Sequence, residues 1–135
     1  MPGLADDLQF RGLVHQVSDP ELLVRLDGAP LVAYSGFDPS ADSLHVGHLL
    51  QLCDLRRLQE AGHRPIALAG GATGLIGDPG GKSEERNLLS EDQVRANLEG
   101  VRPQLERFLD FSGEGGAVLA NNADWLGSVT LFEFL

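Results

Sequence analysis

The sequence predicts an α/β fold with a parallel sheet, and three observations support this prediction. Short apolar runs typical of buried strands occupy residues 31–34, 64–69 and 117–120. A helical pattern at residues 44–61 separates the first two runs. Strand, helix and strand in this order form a βαβ unit, which implies parallel strands joined by a right-handed crossover.

Two helical segments precede the first strand. Residues 4–13 carry apolar side chains at helical spacing, and residues 19–26 form a second short helix. Asp19 is suited to the N-cap of that helix and Pro20 to its first turn. We therefore assign residues 1–29 to an N-terminal helical segment.

The central helix is predicted to begin near Leu44, with Asp42 or Ser43 as its N-cap. Gly62 stands where a helix-ending glycine belongs. The side chains predicted to form its buried face are Val46, Leu49, Leu50 and Cys53.

The remaining elements follow from capping and breaking residues. Residues 70–82 are predicted to be a loop, and Ser90 opens a helix that runs toward Leu109 with an interruption at Pro103. Thr130 and Glu133 form a capping box that starts another helix next to the last residue. Because a helix start with apolar residues rarely ends a domain, we expect the chain to be part of a longer protein.

Composition limits the classes of function. The 135 residues carry a formal net charge of −10, which argues against a general nucleic-acid surface in this segment. A single cysteine, Cys53, excludes an internal disulfide and a multi-cysteine zinc site, and no metal site is predicted. The sequence has neither a signal peptide nor a run long enough to span a membrane, so we expect a cytoplasmic protein without membrane contact.

The motif His45-Val46-Gly47-His48 is the first candidate site. Two histidines three residues apart share one helix face, and a helix N-terminus attracts anions. Gly47 costs about 1 kcal/mol relative to alanine inside a helix. We interpret it as room for a flat ligand such as adenine. The alternative is a pair of surface histidines beside an accidental glycine.

The glycine-rich stretch at residues 70–83 is the second candidate site. It contains the only lysine, Lys82, and Arg86 follows four residues later. If a helical turn starts there, both cations face one anion. The stretch is not a Walker A loop, because Ile76 stands where that motif needs glycine.

Polar residues that follow successive strands are the third candidate site. Tyr34, Asp38, Asp78 and Asn122 are all predicted to lie at strand ends. Open parallel sheets bind ligands beyond the carboxyl ends of their strands.

Four blocks of sequence together resemble the bacterial tyrosyl-tRNA synthetases. They are residues 34–48, 62–79, 105–111 and 121–125. The resemblance implies the Rossmann-like, doubly wound parallel sheet of class I aminoacyl-tRNA synthetases. Residues 30–135 would be the first half of that nucleotide-binding catalytic domain.

The resemblance also implies roles for residues of this chain. Tyr34, Asp38, Thr73, Asp78 and Asn122 would bind tyrosine. The residues that would bind ATP are Ser35, Gly36, Ser40, His45, Gly47 and His48. Those that would act in catalysis are His45, His48, Lys82 and Arg86, the last two on the departing pyrophosphate.

The implied activity is tyrosine–tRNA ligation, with ATP and Mg²⁺ as the activating substrate and tRNA(Tyr) as acceptor. The lysine-rich second signature and the tRNA-binding regions are not in this sequence. We therefore expect this chain alone to be inactive, and the full protein to be a homodimer. Two alternatives stay open: an independent small nucleotidyltransferase or nucleotide-binding module, and a regulatory fragment without activity.

Overall fold

The computed structural model describes residues 3–76 and 89–135. The described strands are β1 (Val32–Phe37), β2 (Arg64–Ala69) and β3 (Val118–Asn121). The described helices are α1 (Leu4–Phe10), α2 (Glu21–Arg25), α3 (Val46–Glu60), α4 (Thr73–Ile76), α5 (Glu91–Leu105), α6 (Ala123–Leu126) and α7 (Leu131–Phe134).

The three strands form one parallel sheet in the order β1-β2-β3. This confirms the predicted α/β class and the βαβ unit. β1 is longer than predicted, because residues 35–37 pair with residues 67–69 of β2. Gly36 therefore lies in a strand and not in the turn predicted for it, since the backbone ladder of the neighbouring strand continues past Tyr34.

Both long helices pack on the same face of the sheet. Two right-handed crossovers that move in one direction along a sheet place their helices on one side. One core cluster accordingly joins side chains of the sheet, α3 and α5. Its buried members are Phe37, Leu52, Leu55, Ala67, Val101, Leu105, Leu109 and Ala117. The opposite face of β1 presents Val32 and Tyr34, which are 67% and 71% exposed.

The buried face of α3 differs from the predicted one. Leu52 and Leu55 are buried, whereas Val46, Leu49 and Leu50 are 84%, 42% and 55% exposed. Two apolar stripes overlap on this helix, and periodicity alone does not choose between them. The position of the sheet decides, because it lies against the stripe that contains Leu52 and Leu55.

Several helix boundaries also differ from those predicted from the sequence. The helix that Ser90 opens ends at Leu105, two residues after Pro103, instead of continuing toward Leu109. Within the predicted loop at residues 70–82, the segment Thr73–Ile76 is helical. The caps at Ser90 and Thr130 are confirmed, since each side chain accepts a hydrogen bond from the backbone three residues later.

The N-terminal segment is attached to the sheet layer by polar contacts. Arg57 of α3 forms an ion pair with Asp7 at 3.0 Å. Buried His63 accepts a hydrogen bond from Leu31 N at 3.1 Å and lies 2.8 Å from the carbonyl of Leu26. These contacts fix the entry into β1. No helix within residues 3–76 and 89–135 is long and apolar enough to cross a membrane.

Truncating single leucines on α3 tests whether the face that contains Leu52 is the buried one. We expect Leu52→Ala to lower the free energy of unfolding of this chain by about 2–5 kcal/mol, because it leaves a cavity in the core. Leu50→Ala, the matched control, removes the same atoms from an exposed position and should cost less than about 1 kcal/mol. Urea unfolding measures both. A larger loss for Leu50→Ala would restore the face predicted from sequence.

Candidate functional site

The carboxyl ends of the three strands meet at one edge of the sheet. Phe37, Ala69 and Asn121 are register neighbours across β1, β2 and β3. The residues that follow them, Asp38, Gly70 and Asn122, therefore lie along one edge of the sheet in that order. The predicted convergence of polar residues after successive strands is confirmed for Asp38 and Asn122.

A cavity of about 280 Å³ opens at this edge. Its lining residues are Gly36, Phe37, Asp38, Leu68, Gly70, Thr73 and Asn122. Four of these were singled out from the sequence: Gly36, Asp38, Thr73 and Asn122. A side chain at Gly36 would meet nothing within 4 Å, so there is open space above this strand. The cavity can thus admit a group that lies close to the backbone of β1.

Tyr34 lies inside β1 and not at its end, two residues before Gly36 and on the same face of the sheet. It does not line the cavity, but its exposed ring stands along the face that leads to it. Ser35 alternates to the opposite face, where α3 and α5 pack. Ser40 is exposed in the loop before α3. Neither serine lines the cavity.

Asn122 binds the glycine-rich stretch through both ends of its carboxamide. Its oxygen accepts a hydrogen bond from Ala72 N at 2.8 Å, and its nitrogen donates to Thr73 Oγ1 at 3.1 Å. The side chain is only 8% exposed. Asn122 therefore holds the cavity wall in place, and its hydrogen-bonding groups already have protein partners.

Asn121 is a site-forming residue that the sequence analysis missed. Its Oδ1 accepts hydrogen bonds from Gly71 N at 3.2 Å and from Ala123 N at 3.1 Å. A side chain on Gly71 would collide with this carboxamide. The available signal in the sequence was two consecutive asparagines directly after a predicted strand.

His45 and His48 form a reciprocal cap at the start of α3. His45 is the N-cap, in place of Asp42 or Ser43, and its Nδ1 accepts from Gly47 N at 3.0 Å. His48 Nδ1 accepts from His45 N at 3.2 Å. The two rings stack with centroids 3.8 Å apart. Because each Nδ1 accepts a backbone hydrogen bond, a neutral ring carries its proton on Nε2, where it can be donated outward.

The structure gives a steric reason for glycine at position 47. A Cβ at this position would lie 2.9 Å from Cε1 and 3.0 Å from Nδ1 of His45. The glycine therefore makes room for the folded-back ring of the neighbouring histidine. Whether it also admits an adenine ring stays a prediction.

His48 is the electrostatically perturbed member of the pair. Burial lowers its pKa first and the neighbouring His45 second, while Asp38 opposes them. The ring of Phe37 lies beside that of His48, with the two centroids 5.8 Å apart. A lowered pKa favours the neutral form of the His48 ring, which offers a single N–H donor.

Asp78, Lys82 and Arg86 lie outside the described residues. Within the described part of the chain, no group of three or more His, Cys, Asp or Glu side chains is placed to hold a metal ion. The structure thus places two groups of the predicted residues at the edge where the strands end. They are the cavity residues and the histidine pair.

Comparison with known proteins defines the class. Residues 26–135 match the family model of tRNA synthetases class I (W and Y), the tryptophan and tyrosine enzymes. The chain belongs to this family of class I aminoacyl-tRNA synthetases, and its Rossmann-like sheet is the fold of that class.

Proteins of the tyrosine branch of the family are similar to this chain. The chain is 55% identical to the tyrosine–tRNA ligase of Rhodopirellula baltica, over 98% of this chain and 30% of that protein. It is 56% identical to the tyrosine–tRNA ligase of Bacillus velezensis, over 100% of this chain and 32% of that protein. A C-terminally truncated mitochondrial tyrosyl-tRNA synthetase of Aspergillus nidulans superposes with a TM-score of 0.79 at 29% identity, over 98% of this chain and 41% of that one. The chain thus spans about a third of the length of the ligases it matches.

Replacing His45 with asparagine tests the electrostatics of the histidine pair. Asparagine preserves an N-cap, so α3 should still begin at Val46. Loss of the adjacent imidazole should raise the pKa of His48 toward the ordinary histidine value, which an NMR titration of its ring protons measures. Exposed His15 provides a control within the same spectrum. An unchanged or lower His48 pKa would contradict the coupling.

The lowered pKa of His48 also predicts the direction in which the stability of the fold changes with pH. Since the folded state binds a proton at His48 less readily than the unfolded state, the stability that neutral His48 contributes is present above the ordinary histidine pKa. It should be lost as the pH falls toward the lower folded pKa. Thermal unfolding across that pH window, with His48→Gln as the comparison, should show a weaker acid dependence in the variant.

Substitutions of Asn122 test how the cavity wall is held. Asn122→Leu should destabilise the chain by about 1–3 kcal/mol, since it leaves the backbone N–H of Ala72 without its acceptor. Asn122→Asp keeps that acceptor and should cost less. Chemical denaturation compares the two. Equal losses would show that the Ala72 contact does not matter.

Proposed function

We propose that this chain forms the tyrosine-activating part of a tyrosine–tRNA ligase. The observation that carries the proposal is the histidine pair beside the Gly36–Thr73 cavity, in a chain 55% identical to a tyrosine–tRNA ligase. Such an enzyme joins tyrosine to its tRNA through tyrosyl-adenylate.

In this proposal the amino acid occupies the open face of β1 and the cavity. Tyr34 hydrogen-bonds the phenol of the substrate. Asp38 and Thr73, with Asp78, lie near the substrate ammonium, which brings the carboxylate to the edge of the sheet. Asn122 supports this arrangement by holding Ala72 and Thr73.

The nucleotide is proposed to lie across the amino end of α3. Gly36 leaves space for the nucleotide beside β1, with Ser35 near the ribose, and Gly47 lets the base approach the helix. Ser40, His45 and His48 donate to the phosphates, and a neutral His48 does so through Nε2–H. Lys82 and Arg86 would bind the departing pyrophosphate.

The chemistry of activation is one in-line displacement. A carboxylate oxygen of tyrosine forms a bond to the α-phosphorus of ATP, and the bond from that phosphorus to the bridging oxygen of pyrophosphate breaks. A terminal ribose hydroxyl of tRNA later takes the tyrosyl group and releases AMP. The protein contributes orientation and stabilisation of charge that develops on the phosphate oxygens.

Several further features are proposed on the family resemblance alone. Mg²⁺ would arrive with the ATP triphosphate as part of the substrate. The full protein would be a cytoplasmic homodimer and would bind tRNA(Tyr) through segments not present in this sequence. The 135-residue chain by itself is expected to be inactive in tRNA charging.

Tyrosine-dependent ATP–pyrophosphate exchange tests the proposal in the complete product of the gene. We expect exchange with tyrosine and far less with phenylalanine or tryptophan. His48→Ala should lower kcat by about a hundredfold, because a donor to developing negative charge is lost. His15→Ala, an exposed histidine in the N-terminal segment, is the matched control.

Three results would overturn the proposal. The first is no exchange with tyrosine. The second is exchange that does not depend on tyrosine, which would favour the alternative of a separate nucleotidyltransferase. The third is equal activity of His48→Ala and the unmodified protein.

A further inference from the structure

The loop that leads into the histidine pair takes its shape from another element. Residues 38–45 connect β1 to α3 and lie in neither a helix nor a strand. His45 is the last residue of this loop, so the path of the loop decides where the stacked rings stand. The position of the histidine pair therefore depends on the contacts that hold residues 38–44.

One face of α5 lies along this loop. Asn97, Gly100 and Gln104 are three and four residues apart, so they share a side of the helix. Asn97 Nδ2 donates to the carbonyl of Pro39 at 2.8 Å. At Gly100 a Cβ would lie 2.5 Å from the carbonyl oxygen of Asp42, so glycine permits the close approach of helix and loop.

Of these three residues, Gln104 makes the contacts that lie nearest to the histidine pair. Its Oε1 accepts a hydrogen bond from Leu44 N at 3.0 Å and one from Ser43 Oγ at 3.4 Å. Its Nε2 donates to Gly100 O at 3.1 Å and to Asp42 O at 3.4 Å. One carboxamide thus fixes three consecutive residues, 42–44, immediately before His45.

We infer that Gln104 is a positioning residue for the His45–His48 pair, and that it acts through the backbone of residues 42–44. This inference rests on the proposed ligase function. The hydrogen bond from Leu44 N–H to Gln104 fixes the direction in which the chain enters His45. The backbone of His45 is extended (φ −110°, ψ 175°), and its ring folds over Gly47. A shift of about 1 Å in such a constellation costs up to about a hundredfold in rate.

Gln59 provides a matched control. Its carboxamide donates to Asp110 O at 2.6 Å and accepts from Asp110 N at 2.9 Å, so it also fixes a loop through backbone contacts. It lies near the other end of α3, about 20 Å from His45 at the rise of an α-helix. Gln59→Leu thus removes a similar set of hydrogen bonds without touching residues 42–44.

The experiment compares Gln104→Leu with Gln59→Leu in the complete gene product. We expect Gln104→Leu to lower kcat of ATP–pyrophosphate exchange by about tenfold to a hundredfold. KM for tyrosine should change by less than about twofold, because Thr73 is held by Asn122 and Gly36 by its pairing with β2, neither of which involves residues 42–44. Gln59→Leu should keep its kcat within about twofold, whatever stability it loses. Equal kcat losses in the two variants, or no loss in Gln104→Leu, would overturn the inference.

A second measurement does not depend on the proposed activity. The ring resonances of His45 and His48 in NMR spectra should shift in Gln104→Leu and stay in place in Gln59→Leu. If the unmodified protein shows no exchange, the function has failed while this comparison still decides the positioning role. Unmoved histidine resonances in Gln104→Leu would refute that role.

Gln104→Glu keeps the inference testable if Gln104→Leu does not fold. Glutamate retains Oε1 as an acceptor for Leu44 N but no longer donates to Asp42 O. Its kcat should fall between those of the unmodified protein and Gln104→Leu, or, without the latter, below the unmodified protein by several-fold. A kcat equal to that of the unmodified protein, with unmoved histidine resonances, would count against the inference.

Discussion

The parallel register of β1, β2 and β3 is the constraint on which the rest of the structure depends. It aligns Phe37, Ala69 and Asn121, so that three connecting segments leave the sheet at one edge. It also sends both crossovers to one face, where α3 and α5 share a core with the sheet. The opposite face of β1 thereby keeps Tyr34 exposed above a strand in which Gly36 leaves open space. The open face of β1 and the core thus lie on opposite sides of one sheet.

Side-chain carboxamides shape the segments that the sheet does not. An irregular segment that lies close to the core must still satisfy its backbone N–H and carbonyl groups. Asn121 and Asn122 do this for residues 71–73, and Gln104 does it for residues 42–44. In both cases an amide group supplies a donor and an acceptor in one rigid plane, so a single side chain can fix two neighbouring groups. Glycines at positions 71 and 100 permit the close approach.

The histidine pair joins local structure to chemistry. Each ring accepts a backbone hydrogen bond on Nδ1, which starts α3 and orients Nε2 outward at the same time. Burial and the adjacent imidazole lower the pKa of His48, so its N–H is offered without a positive charge. A neutral donor of this kind suits a reaction in which negative charge shifts among phosphate oxygens, because it can strengthen its hydrogen bond without losing a proton.

The sequence by itself determined the features that short-range rules govern. The βαβ order, the caps at Ser90 and Thr130, the helix-ending Gly62 and the placement of Asp38 and Asn122 after strands of one parallel sheet all followed from local pattern. Only the tertiary structure decided which stripe of α3 is buried, because two stripes compete and the sheet selects one. It alone extended β1 through Gly36, since strand pairing depends on a partner more than 30 residues away. It also made His45 the cap of α3, and it assigned Asn121 and Gln104 to loops distant in sequence, because such contacts exist only once the helices have packed on the sheet.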